Sequence, residues 1–175
     1  EVDRIRQAYL AGFVPVFVEI MEKMSVFPKA EPKTGPKDAP ELTLSYRRGW
    51  DKSKTLLEVL ADQLQRDIKT GYSHAGPQRA DISIRLNGFA AHEVLSRGQQ
   101  KLVVCAMKIA QGYYLSELKK SDFVFLVDDL PSELDDAHQK QLCQLLEDLN
   151  AQVFISSIKP LANELWQSPE QVQHF

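Results

Sequence analysis

One short stretch, residues 123–127, constrains the fold of this chain more than any other. Its residues Phe-Val-Phe-Leu-Val are all apolar, and they are bounded by Asp122 and Asp128, with Asp129 following. An uninterrupted apolar run of this length is typical of a central parallel strand that is covered on both faces. Open α/β sheets bind their ligands beyond the carboxyl ends of such strands. The stretch therefore predicts a parallel sheet with Asp128 and Asp129 at its ligand-binding edge.

These two carboxylates allow two interpretations. Asp128 can hold Mg²⁺, directly or through its waters, because that ion prefers hard oxygen ligands. Asp129 can then orient or deprotonate an attacking water. Alternatively, both residues only cap the turn into a helix that begins near Asp135, as aspartates commonly do. The pair by itself does not decide between catalysis and capping.

Ser96, Arg97, Gly98 and Gln99 open a second predicted element, a long helix. Ser96 and Gln99 have the spacing of a capping box, in which hydroxyl and amide satisfy backbone donors at a helix start. The same four residues suit an anion site, because free N–H groups and the helix dipole favour phosphate and Gly98 allows its close approach. Capping is physically sufficient, so both alternatives stay open. Apolar residues cover most of this helix and predict its burial: Leu102, Val103, Ala106, Met107, Ile109, Ala110, Tyr113 and Tyr114.

The first third of the chain predicts a smaller region of mixed structure. Residues 1–27 have apolar side chains every three or four positions, which predicts a helix that Pro15 kinks or divides. Residues 28–40 contain four prolines and a glycine among charged residues, a composition typical of an exposed flexible loop. Alternation in residues 42–47 predicts a half-buried strand. A helix from about Ser53 should follow and end at a Gly71 C-cap.

Gly76 and Pro77 mark the boundary that we expect between two regions. Residues 1–75 form a helical, arm-like region with the proline-rich loop at 28–41, and residues 76–175 form a second lobe. In that lobe, alternation in residues 82–86 followed by Asn87-Gly88 predicts a hairpin.

A basic turn is the best local candidate for contact with a DNA backbone. Arg47, Arg48, Lys52 and Lys54 surround Trp50, which offers an aromatic ring for stacking. The alternative is an ordinary solvated turn. The net charge of −3 gives no global electrostatic case for nucleic acid.

Composition predicts an ordinary globular protein, with 43% hydrophobic and 26% charged residues. Cys105 and Cys143 both lie in apolar helical patterns, which indicates buried thiols in a reducing compartment. No apolar run has the length needed to span a bilayer. His74, His92 and His138 lack metal-ligand companions at suitable spacing, so surface or packing roles are expected for them.

Three motifs in fixed order carry a family resemblance. Leu95–Gln99, the apolar strand with Asp128-Asp129, and Ser132-Glu133-Leu134-Asp135 resemble the signature, Walker B and D-loop motifs of ABC-type ATPase heads. Within the ABC/SMC-like superfamily, the chain is most similar to the RecF family. Further similar stretches are Ser45–Trp50, Gly71-Tyr72, Gly76-Pro77, Arg79–Asp81 and Cys105–Gly112.

The resemblance implies an α/β fold: the carboxyl-terminal lobe of a P-loop ATPase head, with a βαβ unit in a parallel sheet, plus a smaller, mostly helical arm. It implies ATP and Mg²⁺ as cofactors, with Asp128 on the metal and Asp129 on the attacking water. The signature residues Ser96, Arg97, Gly98 and Gln99 would serve the nucleotide of a partner subunit, in a homodimer closed by ATP. Asp135 would lie at that dimer interface.

The resemblance also implies a biological role. Members of the RecF family bind DNA in an ATP-dependent manner, at gaps or single-strand/double-strand junctions, in recombinational repair in the bacterial cytoplasm. RecR and RecO are the implied partners in loading the strand-exchange protein RecA. Because Asp129 stands where most ABC heads have glutamate, slow ATP hydrolysis is expected.

Two departures from the family pattern matter. The sequence contains no Gly-x-x-x-x-Gly-Lys-Ser/Thr phosphate loop, since the nearest string, residues 71–76, continues into Pro77-Gln78. We therefore expect a carboxyl-terminal piece of a longer protein that is inactive alone. Ser156-Ser157 stands where many ABC heads have a switch histidine, which leaves the γ-phosphate sensor unassigned.

Three other functions stay open. Another SMC-like head, such as RecN, would be favoured by long coiled-coil heptads, which this sequence lacks. A non-enzymatic dimerisation or DNA-contact module would be favoured if the full gene also lacked a phosphate loop. A phosphoacceptor or phosphatase domain would use Asp128 as nucleophile and need a lysine at the sheet end, for which Lys159 is the candidate.

Overall fold

The computed structural model describes residues 1–27, 41–119, 124–128, 134–149, 151–158 and 161–173. These residues fall into two compact units. Unit 1 takes the described residues within Glu1–Ala11 and Pro40–Val94, and unit 2 those within Gly12–Ala39 and Leu95–Phe175. The division differs from the expected boundary at Gly76, because strand pairing keeps residues 81–90 with the strand at 42–47. Whether 1–75 and 76–175 act as arm and lobe stays a prediction.

Unit 1 is built on an antiparallel sheet of β1 (Leu42–Arg47), β2 (Asp81–Leu86) and β3 (Phe89–Ala90), in the order β1-β2-β3. The predicted alternation of β1 is confirmed, because Leu42, Leu44 and Tyr46 are half-buried between exposed neighbours. β1 and β2 pair along their whole length, from Leu42 opposite Leu86 to Arg47 opposite Asp81.

The hairpin between β2 and β3 is confirmed. Asn87 and Gly88 have φ values of 51° and 83°, the left-handed conformations that a tight two-residue turn requires. The Asn87 side chain also accepts a hydrogen bond of 2.8 Å from the backbone N–H of Glu41, which fixes the start of β1 against the turn. The short helix α3 (Ala91–Val94) follows β3 directly.

Helix α2 (Leu56–Thr70) begins later than predicted and ends where predicted. Its N-cap is Thr55, which forms a capping box with Glu58, whereas Ser53 is held by the Asp51 carboxylate instead. At the other end Gly71 adopts the left-handed conformation, with φ 78°, and donates to the Asp67 carbonyl.

Unit 2 packs helices around an apolar core. α1 (Val2–Lys23) contributes its residues from Gly12 onward, and α4 (Arg97–Lys119) and α5 (Asp136–Glu147) belong to it entirely. Its fully buried side chains are Phe13, Phe17, Ile20, Met24, Ile109, Cys143 and Leu146. Burial raises the pKa of the Cys143 thiol to about 12, so this cysteine is a packing residue rather than a reactive one.

α1 is one helix, so Pro15 does not divide it, and the alternative that Pro15 kinks the helix stays a prediction. A proline removes one intrahelical hydrogen bond and usually breaks a helix. Here Phe13 and Phe17, on either side of Pro15, are buried with stacked rings 6.0 Å apart. Burial of these large aromatic side chains offsets the missing bond and keeps the helix continuous.

β4 (Val124–Val127) and β5 (Gln152–Ile155) form a parallel pair connected through α5, which confirms the predicted βαβ unit. The expectation that β4 is covered on both faces is wrong for the described part of the chain. Exposed and half-buried residues alternate along β4, and Leu126 is 76% exposed. The described sheet gives β4 a single strand neighbour, β5, and along β4 only Phe125 and Val127 are half-buried.

Connecting segments in unit 1 meet at Gly49 and Gly76. The Gly76 N–H donates to the Gly49 carbonyl at 3.1 Å, and Arg6 donates to the adjacent Pro77 carbonyl at 2.7 Å. Gly49 has φ 95°, and a Cβ there would overlap the Gly76 carbonyl oxygen. The close approach therefore requires glycine at position 49.

We predict that Gly49→Ala lowers the free energy of unfolding by about 2–4 kcal/mol, because left-handed strain and overpacking add. Gly71→Ala is the matched control: φ is also positive, but nothing lies within 4 Å of an added Cβ. It should cost only about 1–2 kcal/mol. Urea unfolding followed by circular dichroism measures both, and equal losses would contradict the steric role of Gly49.

Candidate nucleotide site

The carboxyl ends of β4 and β5 bring Asp128 and Ser156 together. The Ser156 N–H donates to the Val127 carbonyl at 2.9 Å, which extends the parallel ladder one residue beyond β5. The Ser156 hydroxyl then donates to Asp128 Oδ1 at 2.6 Å. Asp128 is exposed, so its carboxylate is accessible at the sheet edge where α/β proteins bind ligands.

Several predicted site residues cannot be placed. Asp129 lies outside the described residues, as do Ser132 and Glu133 of the D-loop motif and Lys159 of the phosphatase alternative. Their roles stay predictions from sequence.

The predicted capping box at the start of α4 is formed. Ser96 Oγ accepts from the Gln99 N–H at 3.2 Å, and Gln99 Oε1 accepts from the Ser96 N–H at 3.0 Å. Gln100 adds a bond from its side chain to the Leu95 carbonyl at 2.9 Å. The capping function of Ser96 and Gln99 is therefore real, whatever else they do.

The same helix end keeps features that suit an anion. The amides of the first helical residues, Arg97 and Gly98, have no intrahelical acceptor by the geometry of an α-helix. The first turn carries no acidic residue, Arg97 is exposed, and a Cβ at Gly98 would meet nothing within 4 Å. Among the described residues, these features leave the amides open to an oxyanion.

Asp135 is the N-cap of α5. Its carboxylate accepts from the backbone N–H of His138 at 2.9 Å and lies 2.7 Å from Nδ1 of the same histidine. These bonds from His138, the backbone one first, hold the pKa of the Asp135 carboxyl below its ordinary value. Asp135 is nevertheless exposed, so it combines a capping role with an accessible position.

The basic turn is largely neutralised by its own neighbours. Arg47 lies 3.5 Å from an Asp81 carboxylate oxygen, and Lys54 lies 2.7 Å from Asp62. Arg48 stacks over the Trp50 ring at 4.7 Å and donates to the carbonyls of Asp51 and Lys54. Of the four predicted DNA-contact residues, Lys52 is the exposed cation for which the described part of the chain shows no hydrogen bond or ion pair.

The histidines have the packing and surface roles predicted for them. His74 is 13% exposed, and its Nδ1 lies 2.8 Å from Asp67 Oδ1. This contact, together with bonds from Ser73 and the His74 backbone, lowers the pKa of Asp67 and fixes the loop that follows α2. Among the described residues, no group of three or more His, Cys, Asp or Glu side chains could hold a metal ion.

The lack of such a cluster among the described residues is compatible with Mg²⁺ binding. That ion is commonly held by one or two carboxylates together with substrate phosphates, and it keeps several of its waters. A single accessible aspartate at a sheet edge fits this donor set. Asp128 is therefore a suitable magnesium ligand only when a nucleotide supplies the remaining oxygens.

Comparison with known proteins identifies the family. The family described as the RecF/RecN/SMC N terminal domain matches residues 19–174. The chain belongs to the RecF/RecN/SMC family. Because the match is to a domain described as N-terminal, the expected carboxyl-terminal placement within RecF is not confirmed.

Relatives in this family are DNA repair proteins. The chain is 49% identical to the DNA replication and repair protein RecF of Pseudomonas aeruginosa strain LESB58, over 100% of this chain and 44% of that protein. The RecF of Pseudomonas fluorescens strain SBW25 is 47% identical, again over 100% of this chain and 45% of the relative. The chain thus spans less than half the length of these relatives.

Solved structures support the fold. Two described as the recombination mediator protein RecF in the RecFOR pathway, one with ATPrS and one with ATP, superpose with TM-scores of 0.66. They share 22% and 21% identity and cover 90% and 91% of this chain, but 41% and 42% of their own chains. The mixed α/β fold with a small parallel sheet is therefore RecF-like. No helix among the described residues is long and apolar enough to cross a membrane.

Sequence reasoning missed the contact between Ser156 and Asp128. The motif pattern presents Ser156 only as a replacement for a histidine. Finding the contact required the register of β4 against β5, in which Val127 lies opposite Ile155. That register depends on residues far apart in the chain, and no local pattern reveals it.

The lowered pKa of Asp135 predicts a pH-dependent contribution to stability. A depressed folded-state pKa stabilises the fold above the ordinary aspartate pKa of about 3.9, and this is lost as pH falls through the folded value. Asp135→Asn should therefore be less stable than wild type near neutral pH, and the difference should shrink below about pH 4.

Urea unfolding at about pH 6 and about pH 3 measures this difference. Asn retains the ability to cap, so the variant isolates the charge. Asp136→Asn, in the first turn of the same helix, is the matched control because it leaves the contact with His138 intact. Identical pH dependence in the two variants would contradict the assignment.

Proposed function

We propose that this chain is part of an ATP-dependent DNA-binding protein of recombinational repair, a slow ATPase as its full-length parent. The observation that carries the proposal is the position of Asp128, accessible at the carboxyl edge of a parallel strand pair. Membership of the RecF/RecN/SMC family supports it. ATP and Mg²⁺ are the proposed cofactors.

In this proposal, different residues of the chain have different roles in phosphoryl transfer. Asp128 holds Mg²⁺, which when bound neutralises charge on the nucleotide phosphates. Asp129 orients the attacking water. The amides at the start of α4, with Ser96, Arg97, Gly98 and Gln99, bind phosphate oxygens of the nucleotide held by a partner subunit. Asp135 stands near the same dimer interface.

The proposal requires more polypeptide than these 175 residues. Phosphoryl transfer needs a phosphate cradle, and the sequence has no Gly-x-x-x-x-Gly-Lys-Ser/Thr loop. The rest of the parent must supply it, so the chain alone should not hydrolyse ATP. In the parent, the side chain of Asp129 is shorter than that of a glutamate. This favours slow ATP hydrolysis and a switch-like use of ATP.

DNA and the RecFOR pathway are the proposed biological context. Two structural neighbours are described as RecF in the RecFOR pathway, and the relatives are named for DNA replication and repair. We propose that ATP-closed homodimers bind gapped or junction DNA and act with RecR and RecO to load RecA. The competing function is a non-enzymatic dimerisation or DNA-contact module, which the helix caps formed by Ser96 and Asp135 favour.

ATP-induced dimerisation of the full-length parent tests whether the proposed nucleotide site is shared between two subunits. We expect Ser96→Arg to abolish ATP-induced dimers, because its side chain would occupy the anion position, and Asp129→Asn to trap dimers with unhydrolysed ATP. Light scattering and phosphate release measure the two effects.

A second capping box provides the matched control. Thr55 and Glu58 repeat the Ser96 and Gln99 arrangement at the start of α2. Ser96→Ala and Thr55→Ala should each cost about 1 kcal/mol of stability, because each removes a helix cap. If Ser96→Ala impairs the formation of ATP-induced dimers no more than Thr55→Ala does, Ser96 is only a helix cap. The non-enzymatic alternative is then favoured.

For DNA, we expect Lys52→Ala in the full-length parent to weaken binding without loss of stability. Removing one lysine–phosphate interaction should make the slope of log K against log salt shallower by about 0.9. Arg48→Ala should instead destabilise the turn, since Arg48 donates to two carbonyls there. Lys69→Ala, an exposed lysine of α2, is the charge-matched control, and a slope equal to that of Lys52→Ala would remove the turn as a DNA-binding element.

A further inference from the structure

The hydrogen bond from Ser156 to Asp128 joins the two residues that follow adjacent parallel strands. Its length of 2.6 Å lies within the range of an ordinary O–H···O hydrogen bond. The contact therefore restrains the Asp128 side chain.

Backbone pairing fixes the position of Ser156 relative to Asp128. β4 and β5 pair in register to their last residues, with Val127 opposite Ile155. The Ser156 N–H donates to the Val127 carbonyl at 2.9 Å, so the Ser156 backbone is fixed beside the residue that precedes Asp128. With backbone and hydroxyl both held, Ser156 presents its donor to Asp128 from a rigid position.

Restraint matters because Asp128 is exposed. An exposed side chain exchanges rotamers in picoseconds to nanoseconds, and ordering it on ligand binding costs conformational entropy. A hydroxyl that donates to Oδ1 restricts the rotation of the carboxylate and leaves Oδ2 out of this hydrogen bond. Groups that hydrogen-bond a metal-binding carboxylate commonly raise metal affinity in this way.

We propose that Ser156 is a positioning residue that pre-orients the Asp128 carboxylate for a divalent cation. The inference rests on the proposed function, because Asp128 must meet Mg²⁺ for its orientation to matter. Ser156 itself does not touch the nucleotide. Its hydroxyl acts through Asp128, so its loss should change the metal requirement of nucleotide binding more than any other property.

The test uses the full-length parent protein and a fluorescent ATP analogue. MgCl₂ is titrated, and the concentration that gives half-maximal analogue binding is measured for wild type, Ser156→Ala, Ser156→Thr, Ser157→Ala and Asp128→Asn. Titration of Mn²⁺ followed by electron paramagnetic resonance gives an independent readout of the cation. Thermal unfolding without metal controls for a merely structural role.

Ser156→Ala should raise the half-maximal Mg²⁺ concentration about tenfold, with only a small fall in the metal-free unfolding midpoint from the lost hydrogen bond. Ser156→Thr retains the hydroxyl and should titrate close to wild type, as should Ser157→Ala, which leaves the contact intact.

Two results overturn the idea in distinguishable ways. If Asp128→Asn loses metal-dependent binding but Ser156→Ala titrates like wild type, the positioning role is wrong and the proposed function stands. If Asp128→Asn itself titrates like wild type, the metal assignment of Asp128 fails, and the role of Ser156 fails with it.

Discussion

The parallel pairing of β4 with β5 is the constraint on which the candidate site depends. Its register sets Val127 opposite Ile155, and one further ladder bond fixes Ser156 beside the strand end. A slip of one residue would turn the half-buried Phe125 and Val127 outward and move Asp128 away from the Ser156 hydroxyl. Burial of alternate apolar residues therefore determines where a carboxylate stands at the sheet edge.

Helix caps in this protein serve structure and candidate chemistry with the same atoms. Ser96 and Asp135 each satisfy backbone donors at the start of a helix, and each lies in a stretch that resembles a motif of ABC-type ATPase heads. The two roles are compatible, because a cap uses one or two donors and leaves the other amides of the first turn for a ligand. A rigid cap also keeps those amides in a fixed direction, which an anion site requires.

The sequence predicted best those features that depend on neighbouring residues. The alternating strand at 42–47, the Asn87-Gly88 turn, the Gly71 cap and the Ser96 box all follow from local chemistry, and the structure contains each. The helix continues through Pro15, instead of being divided there, because burial of Phe13 and Phe17 outweighs one missing hydrogen bond.

The candidate site was predicted less completely than the fold. Motif order led to Asp128 and to Ser96 directly. The Ser156 contact, between residues separated by 28 positions, could not be predicted because it depends on strand register rather than on any local pattern.

One face of the parallel strand pair carries exposed apolar side chains. Leu126 is 76% exposed on the same face of the sheet as Val124 and Phe154, which are also exposed. Fully burying a leucine side chain contributes about 1.5–3 kcal/mol, so an apolar strand face left in water forgoes much of its stabilisation. Parallel sheets are normally covered on both faces. Any polypeptide that covered this face would therefore stabilise the strand that carries Asp128.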